Sequence, residues 1–509
     1  MKTTLLIAPA RAGVLALLAA AAPLAAQQSA APTPPAAMSA IKQADLKRDL
    51  YDIAGDTYRG REAGTLDELR ASVWEAEAAR KAGLIPAGDN GTYFQWWNMK
   101  RTRLSPASTI AVGNHKLVLW QDVAASATSE ADIDAPAVFV GDASDTTIDV
   151  RGKVVIAALV PPPPGGRQNI GVNSAEWKYA RSATGYEARE LTRRGAAAVI
   201  LVADAEADSA FDAVSVIAAR GVYDVDDAAT EAAGGRYGGG RAGAPVFLAH
   251  RGLLSDLQAP GQDAHIHLVT ETFDYPSVNV VGIVRGTDPK LRDEYVTFSS
   301  HTDHDGVRYP IDGDSIWNGA DDNGSVTVAI LAIARAFHQH PGKRSALFIW
   351  HGAEERGLLG SRYHSVHPVV PLSQIVAVIN GDLIGRNNPD SASILGVQPP
   401  HRNSSDLVRM ALEANAATGK FKLDSIWDRP THPEGWYFRS DHVPYVRHGI
   451  PALMYSTNLH ADYHTPRDEP SRIDYAKLTR MADWMYMTGW LVANAPKRPA
   501  LDPGFKLER

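Results

Sequence analysis

The stretch NGADDNGS, residues 318–325, decides how the rest of this 509-residue chain is interpreted. It places Asp322 in a Gly- and Asn-rich loop directly before the apolar, helix-like segment VTVAILAIARAF (326–337). Two adjacent acids before a helix can simply cap it, because carboxylates stabilise the positive end of the helix dipole. Asp322 is therefore a candidate site residue only if other polar groups are brought to the same place.

Short apolar runs of β type precede further polar residues on both sides of this loop. EYVTFSS (294–300) is followed by His301 and Asp303, ALFIW (346–350) by Glu354 and Glu355, IVAVIN (375–380) by Asp382, and ALMYST (452–457) by Tyr463 and His464. Alternating strands and helices predict an α/β fold. Since open α/β sheets gather their sites at the carboxyl ends of the strands, we expect these side chains to converge.

Each of these residues also has an ordinary explanation when it is taken alone. His301 and Asp303 could form a surface turn, and the acids Glu354 and Glu355 could be solvated. His464 could be one surface histidine among many. Asp382 differs, because an acid at the edge of an apolar run is costly unless it has a partner. In an extended HTD segment, Asp303 lies on the same side as His301 and could orient its ring. Histidines and carboxylates without cysteine suit divalent metals, with zinc the leading candidate.

Composition excludes several classes of protein. The net charge of −7 argues against a general nucleic-acid binder. The absence of cysteine excludes thiolate zinc sites, disulfides and a cysteine nucleophile. Residues 1–26 carry two basic residues and the run GVLALLAAAAPLAA, which predicts a cleaved signal peptide rather than a membrane anchor, because the run is shorter than a span requires. We expect an exported protein, periplasmic or secreted, without stable membrane insertion.

The rest of the chain divides into segments that differ in composition and in the predicted type of secondary structure. Residues 27–40 are Pro- and Ala-rich and predict a disordered leader. Residues 107–269 alternate short β-type runs with loops such as PPPPGG (161–166) and AAGGRYGGGRAG (232–243), with one helix at YEARELTRRGA (186–196). This predicts an inserted, mainly β domain. The chemistry is expected on the flanks, 41–106 and 270–500, because 13 of the 17 histidines fall between His301 and His464.

Five motifs follow the predicted strands in order: HTD (301–303), GADDNGS (319–325), GAEERGLLGS (352–361), NGDLIG (380–385) and YHTPRD (463–468). Together they resemble the di-zinc exopeptidase family of secreted aminopeptidases and glutamate-carboxypeptidase-like enzymes, peptidase family M28. A motif of many parts has few false positives. The resemblance extends over nearly all of the chain after the leader, and includes YRGREAGT (58–65), SVNVVGIVRGTDPKLRDEYV (277–296) and RSDHVPYVRHGIPAL (439–453). The insert resembles a protease-associated domain through VRGKVVIAAL (150–159) and ARELTRRGAAAVILV (188–202).

The resemblance implies a mixed twisted sheet flanked by helices and two Zn²⁺ ions per chain. The implied metal ligands are Asp322, shared by both ions, His301 and Asp382 for one ion, and Glu355 and His464 for the other. Glu354 is then the general base for a metal-activated water, and Tyr463 a hydrogen-bond donor to the developing oxyanion. The peptide joining Asp322 to Asn323 is expected to be cis. The chain departs from the family at Val326, where glycine is frequent, but this residue is outside the ligand set.

Three functions remain open at this point. The leading one is an aminopeptidase acting on peptide substrates. A carboxypeptidase or dipeptidase would need cations for a terminal carboxylate, and Arg308, Arg386 and Arg439 are available. Residues 436–438, Trp436, Tyr437 and Phe438, could wall an apolar substrate pocket or be a buried aromatic strand. The third function is a non-catalytic, receptor-like binding protein, against which the intact ligand set argues.

Overall fold

The computed structural model describes residues 32–142, 144–162, 175–233 and 243–507. The predicted signal peptide and the first residues of the predicted leader lie outside the described residues, as do most of the two Gly-rich loops of the insert.

Twelve α-helices and twenty strands, joined by loops and short 3₁₀ turns, form this described part of the chain. The helices are α1 Gln43–Ile53, α2 Leu66–Lys81, α3 Ala175–Arg193, α4 Ala205–Ser209, α5 Phe211–Ala219, α6 Ala228–Ala233, α7 Leu254–Leu257, α8 Val326–Gln339, α9 Leu359–Val366, α10 Ser405–Ala417, α11 His442–Arg447 and α12 Tyr475–Asn494. The strands are β1 Ile85–Pro86, β2 Phe94–Leu104, β3 Thr109–Val112, β4 His115–Leu117, β5 Val123–Ala125, β6 Ala131–Phe139, β7 Val154–Ala158, β8 Ala198–Val202, β9 Val222–Val225, β10 Val246–Ala249, β11 Asp263–Leu268, β12 Thr270–Val284, β13 Tyr295–His301, β14 Gly306–Ile311, β15 Asp314–Trp317, β16 Ser345–His351, β17 Ile375–Gly381, β18 Ser391–Leu395, β19 Lys422–Leu423 and β20 Ala452–Ser456.

The larger sheet has the strand order β19-β18-β20-β17-β13-β16-β12-β2-β9, with β1 paired to β12. Its centre is parallel, because β13 pairs in parallel with both β16 and β17, and β17 with β20. Strands β13, β16 and β17 are buried at every position, as expected for parallel strands covered on both faces. Helices α8 and α12 contribute to the core on one face, and α11 to the core on the other. The predicted mixed α/β sheet flanked by helices is confirmed.

The smaller sheet, β4-β3-β11-β6-β7-β8-β10-β5, is built entirely from strands between residues 109 and 268. The chain enters and leaves this region through one antiparallel ribbon, in which β2 and β12 pair from Phe94 and Val280 to Leu104 and Thr270. The outer end of the ribbon lies next to the predicted limits of the insert.

Two features of the insert differ from the sequence interpretation. Besides α3, which overlaps the predicted helix and ends at Arg193, the described residues form helices α4 to α7, because the parallel strands β6, β7, β8 and β10 require crossovers and a covered face. In addition, β9 leaves the insert and pairs with β2 at the edge of the larger sheet. Among the described residues, no helix has the length and apolar character needed to span a membrane.

Candidate metal centre

The candidate ligands do converge at the carboxyl ends of the central parallel strands. His301 is the last residue of β13, and Asp382 directly follows β17. Left-handed backbone conformations turn the chain at three places here: φ is 54° at Ala353, just before Glu354, 53° at Leu383 and 49° at His464. Non-glycine residues with such φ values are uncommon and tend to cluster at functional sites.

The first group of possible ligands consists of His301, Glu354 and Asp382. One ligand atom from each lies within 4.8 Å of the others, and all three side chains are buried. The Nε2 atom of His301 is 3.8 Å from Oε2 of Glu354.

The second group consists of His304, Asp322, Glu355 and His464. The Nε2 atom of His464 lies 3.1 Å from Oδ2 of Asp322 and 3.1 Å from Oε1 of Glu355. His304 was not among the predicted site residues. Its Nδ1 atom lies 2.9 Å from Oε1 of Glu355 and 3.9 Å from Oδ2 of Asp322. The signal for it was its position one residue after HTD, which brings a second histidine to the same turn.

The Asp322 carboxylate lies between the two groups. Its Oδ1 atom is 3.3 Å from Nε2 of His301, and its Oδ2 atom is 3.1 Å from Nε2 of His464. One oxygen therefore faces each group, which is the arrangement that a ligand shared between two ions requires. The peptide joining Asp322 to Asn323 is cis, as expected.

The donor atoms themselves fit a metal. His301 Nδ1 lies 3.0 Å from the backbone carbonyl oxygen of Asp303, and a carbonyl can only accept, so Nδ1 carries a proton and the neutral ring has its lone pair on Nε2. This Nε2 atom, Oδ1 of Asp322 and Oδ1 of Asp382 are buried without a hydrogen-bond partner in the described protein. Buried polar atoms without partners are costly, and imidazole nitrogen with carboxylate oxygen is a donor set that zinc accepts.

Asp303 supports the site differently from the sequence interpretation. The contact to the His301 ring is made by the backbone carbonyl of Asp303, while its carboxylate is 3.9 Å from Nδ1. That carboxylate instead accepts the backbone N–H groups of Glu354 at 2.8 Å and Glu355 at 3.2 Å. The Asp303 side chain thus holds Glu354 and Glu355 in place through their backbone N–H groups.

Two further buried acids hold the ligand turns in the same way. The Asp468 carboxylate, in the YHTPRD motif, accepts the backbone N–H of Asp321 at 3.0 Å and of Asp322 at 3.1 Å. The Glu68 carboxylate accepts the N–H of Ala353 at 3.1 Å. Neither acid was singled out from the sequence, because backbone N–H groups that need an acceptor leave no trace in residue types.

Glu354 is a buried carboxyl group within the first ligand group. Burial raises its pKa well above the usual range; His301 opposes the rise, whereas Asp382 and Asp441 add to it. A carboxyl group that holds a proton readily suits a residue that must take up and return one.

Tyr463 is buried, and its ring centroid lies 3.9 Å from that of His464. The ring is therefore beside the second ligand group. Burial raises the pKa of Tyr463, so its phenol keeps its proton near neutral pH.

The predicted aromatic wall is part of the core. Trp436, Tyr437 and Phe438 form one turn of 3₁₀ helix rather than a strand, and all three are buried. Tyr437 stacks on His401 with ring centroids 4.1 Å apart and donates its hydroxyl to the carbonyl of that residue at 3.2 Å. Trp436 reaches the site by its edge contact with Tyr463, at 6.4 Å between centroids.

The three candidate arginines each have an acidic partner. Arg308 pairs with Asp305, Arg386 with Asp462 at 2.6 Å, and Arg439 with Glu434 at 3.0 Å. Their charges are therefore already balanced within the protein.

The insert touches the neighbourhood of the centre. Arg220, at the end of α5, donates to the backbone carbonyls of Asp305 at 3.2 Å and Val307 at 3.3 Å. The Asp305 carboxylate in turn lies 3.1 Å from Nδ1 of His464. The side chains of both ligand groups nevertheless come from the flanking segments.

Comparison with known proteins shows which family this part of the chain resembles. The family model described as "Peptidase family M28" matches residues 279–488, which include both ligand groups. Aminopeptidase YwaD of Bacillus subtilis is 28% identical over 270 residues, which are 51% of this chain and 54% of that protein. A probable leucine aminopeptidase 2 of Aspergillus oryzae is 28% identical over 182 residues, 34% of this chain and 32% of that protein. The chain thus matches about half, or less, of the length of these curated relatives.

Solved structures agree in fold. An aminopeptidase from Aneurinibacillus sp. strain AM-1 has a TM-score of 0.54 at 18% identity, covering 92% of this chain and 97% of that one. BSAP, a zinc aminopeptidase from Bacillus subtilis, has a TM-score of 0.54 at 19% identity, covering 92% and 99%. The matched segment carries the central strands, the ordered motifs and both ligand groups on one fold, and this segment, residues 279–488, is similar to peptidase family M28.

Proposed function

We propose that this protein is a zinc-dependent aminopeptidase that hydrolyses the N-terminal peptide bond of peptides. The observation that carries the proposal is the position of the Asp322 carboxylate, with one oxygen facing His301 and the other facing His464. In this proposal His301 and Asp382 would hold one zinc ion, Glu355 and His464 would hold the other, and Asp322 would serve both. Similar proteins that are named aminopeptidases support the choice of reaction.

Two bound zinc ions would lower the pKa of a water molecule and polarise the scissile carbonyl. Glu354 would take the proton from the attacking water and return it to the departing amine, so no covalent intermediate is needed. Tyr463 would donate its phenolic proton to the carbonyl oxygen as negative charge develops there. The buried carboxylates near Glu354 would favour a substrate with a free, positively charged α-amine.

The arginines bear on the alternative of a carboxypeptidase or dipeptidase. Such an enzyme needs a cation that is available to a substrate carboxylate, and Arg308, Arg386 and Arg439 are each engaged by an acid of the protein. This favours recognition of the amino end of the substrate.

Because an apolar pocket discriminates by only about 1–3 kcal/mol per methylene group, we expect broad side-chain specificity.

Export and the nature of the insert are proposed from sequence patterns. Export follows from the signal-like residues 1–26. A protease-associated insert follows from the resemblance of segments 150–159 and 188–202.

A matched pair of Leu-containing peptides, one with a free and one with an acetylated N-terminus, tests the proposed function. With zinc present, the free peptide should lose its first residue, and cleavage of the acetylated peptide should nearly vanish because acetylation removes the charge of the amine. A chelator should abolish hydrolysis of the free peptide and any residual hydrolysis of the acetylated one. Equal rates on the two peptides, or faster loss of the C-terminal residue, would overturn the aminopeptidase assignment.

A further inference from the structure

Arg439 makes a direct contact with Tyr463. One amino group of its guanidinium donates to the phenolic oxygen at 3.0 Å, and the other donates to Oε2 of Glu434 at 3.0 Å. Its central carbon also lies 5.0 Å from the centroid of the Trp436 ring, within cation–π range. A carboxylate, an aromatic face and the phenol therefore hold the guanidinium from three sides.

The direction of the hydrogen bond has a consequence for the phenol. A guanidinium can only donate, whereas a phenol carries one proton and can both donate and accept. In the contact with Arg439 the oxygen of Tyr463 must be the acceptor. Its own proton is then directed away from Arg439, and it remains available to another acceptor.

We propose that Arg439 is a positioning residue for the reaction. By occupying the acceptor side of the Tyr463 oxygen, it directs the phenolic proton to the substrate carbonyl oxygen. This inference rests on the proposed function, in which Tyr463 stabilises the developing oxyanion.

The same contacts argue against binding of a substrate carboxylate by Arg439. Glu434 already accepts from this guanidinium, so a substrate carboxylate would have to compete with an ion pair at 3.0 Å. The two roles predict different kinetics. Loss of a positioning residue lowers kcat, whereas loss of a substrate anchor that contributes equally before and during the reaction raises KM.

A double-mutant cycle separates these possibilities. The variants are Arg439→Met, Tyr463→Phe and the double variant, assayed with zinc on a free Leu-containing peptide. Removal of one oxyanion donor typically lowers kcat by about 10²–10³-fold, so we expect that loss for Tyr463→Phe and about 10–100-fold for Arg439→Met, with KM little changed. The double variant should be no slower than Tyr463→Phe alone, because Arg439 acts through the phenol.

Controls keep the result interpretable. Arg409→Met removes an exposed arginine on α10 and should leave kcat unchanged. If Arg439→Met does not fold, the cycle is repeated with Arg439→Lys, which keeps the charge but lacks the planar fork that donates to Glu434 and Tyr463 together. This substitution should lower kcat when Tyr463 is present and leave kcat unchanged when it is combined with Tyr463→Phe.

Additive losses in the cycle, or a raised KM at unchanged kcat, would overturn the role of Arg439 while the aminopeptidase function stands. A wild-type protein that hydrolyses neither peptide of the matched pair would overturn both.

Discussion

The buried guanidinium of Arg61 donates its Nε–H to the backbone carbonyl of Thr302 at 2.7 Å, although the two residues are 241 positions apart. Arg61 also donates to the carbonyls of Ile53 at 3.1 Å, Asn318 at 2.7 Å and Gly319 at 2.9 Å. One side chain thus joins the turn after His301 to the loop that presents Asp322.

Replacement of Arg61 by Met should therefore destabilise the protein. It leaves buried carbonyls without donors, and each such unsatisfied group typically costs about 1–3 kcal/mol of unfolding free energy. Urea unfolding of the metal-free protein measures the change. Arg59→Met, two residues away at an exposed site, is the matched control and should change stability by less than about 1 kcal/mol. Equal effects of the two variants would contradict the role assigned to Arg61.

Metal content provides the most direct check of the centre. We expect two zinc ions per chain after loading, and reversible loss of hydrolysis on treatment with a chelator. Asp322→Asn should lower the affinity of both sites, because the carboxylate faces both groups. Elemental analysis measures the stoichiometry. Less than about one metal per chain under zinc-replete conditions would contradict the proposed pair of sites.

The two adjacent acids should behave differently on substitution. Glu354→Gln keeps the shape of the side chain but removes the base, so metal content should survive while turnover falls by roughly 10²–10⁴-fold. Glu355→Gln should lose affinity for one zinc ion. Zinc titration and kcat, measured on both variants, decide the matter. Identical behaviour would mean that the roles within the pair are wrongly assigned.

Acid should destabilise the protein partly through His364. Burial lowers the pKa of this residue to about 3, and its Nδ1 atom lies 2.7 Å from the hydroxyl of Tyr445. Between pH 6.5 and 3 the unfolded chain binds a proton here that the folded protein does not, so the unfolding free energy falls as the pH falls.

His364→Gln should remove the difference in proton binding between the unfolded and folded states at this position. The slope of stability against pH should decrease by up to about 1.4 kcal/mol per pH unit. Urea unfolding at about pH 6.5 and about pH 5 gives the slope. A chelator is present throughout, so that release of metal at low pH does not contribute to the change in stability. An unchanged slope would show that His364 does not titrate as its burial predicts.

The insert should influence substrate length without affecting the metals. Arg220 ties it to the carbonyl of Asp305, whose carboxylate approaches His464. Arg220→Met should loosen that attachment and increase the rate on long peptides relative to short ones, while zinc content stays the same. The measurement is kcat/KM for a series of peptides of increasing length. A length profile identical to that of the wild type would count against an influence of the insert on substrate length.

Local residue patterns were sufficient to predict helix α8 and the central strands in their order. Apolar residues recur at helical spacing in α8, and continuous apolar runs form the buried strands β13, β16 and β17. A residue directly after such a run, such as Asp382, must lie at the strand end, so part of the centre was predictable from position along the chain. The same reasoning could not place β9, whose partner strand β2 lies more than a hundred residues earlier.

The sequence by itself determined which atoms are available: imidazole nitrogens and carboxylate oxygens without thiolates, presented after buried strands. The tertiary structure alone decided how those atoms are held. His304 faces Glu355, the Asp303 carboxylate accepts from the main chain of the acid pair, and Arg439 donates to the phenol of Tyr463. The physical reason is that hydrogen bonds to backbone groups and between distant side chains depend on direction and on distances of about 3 Å. Neither is encoded in the type or spacing of residues along the chain.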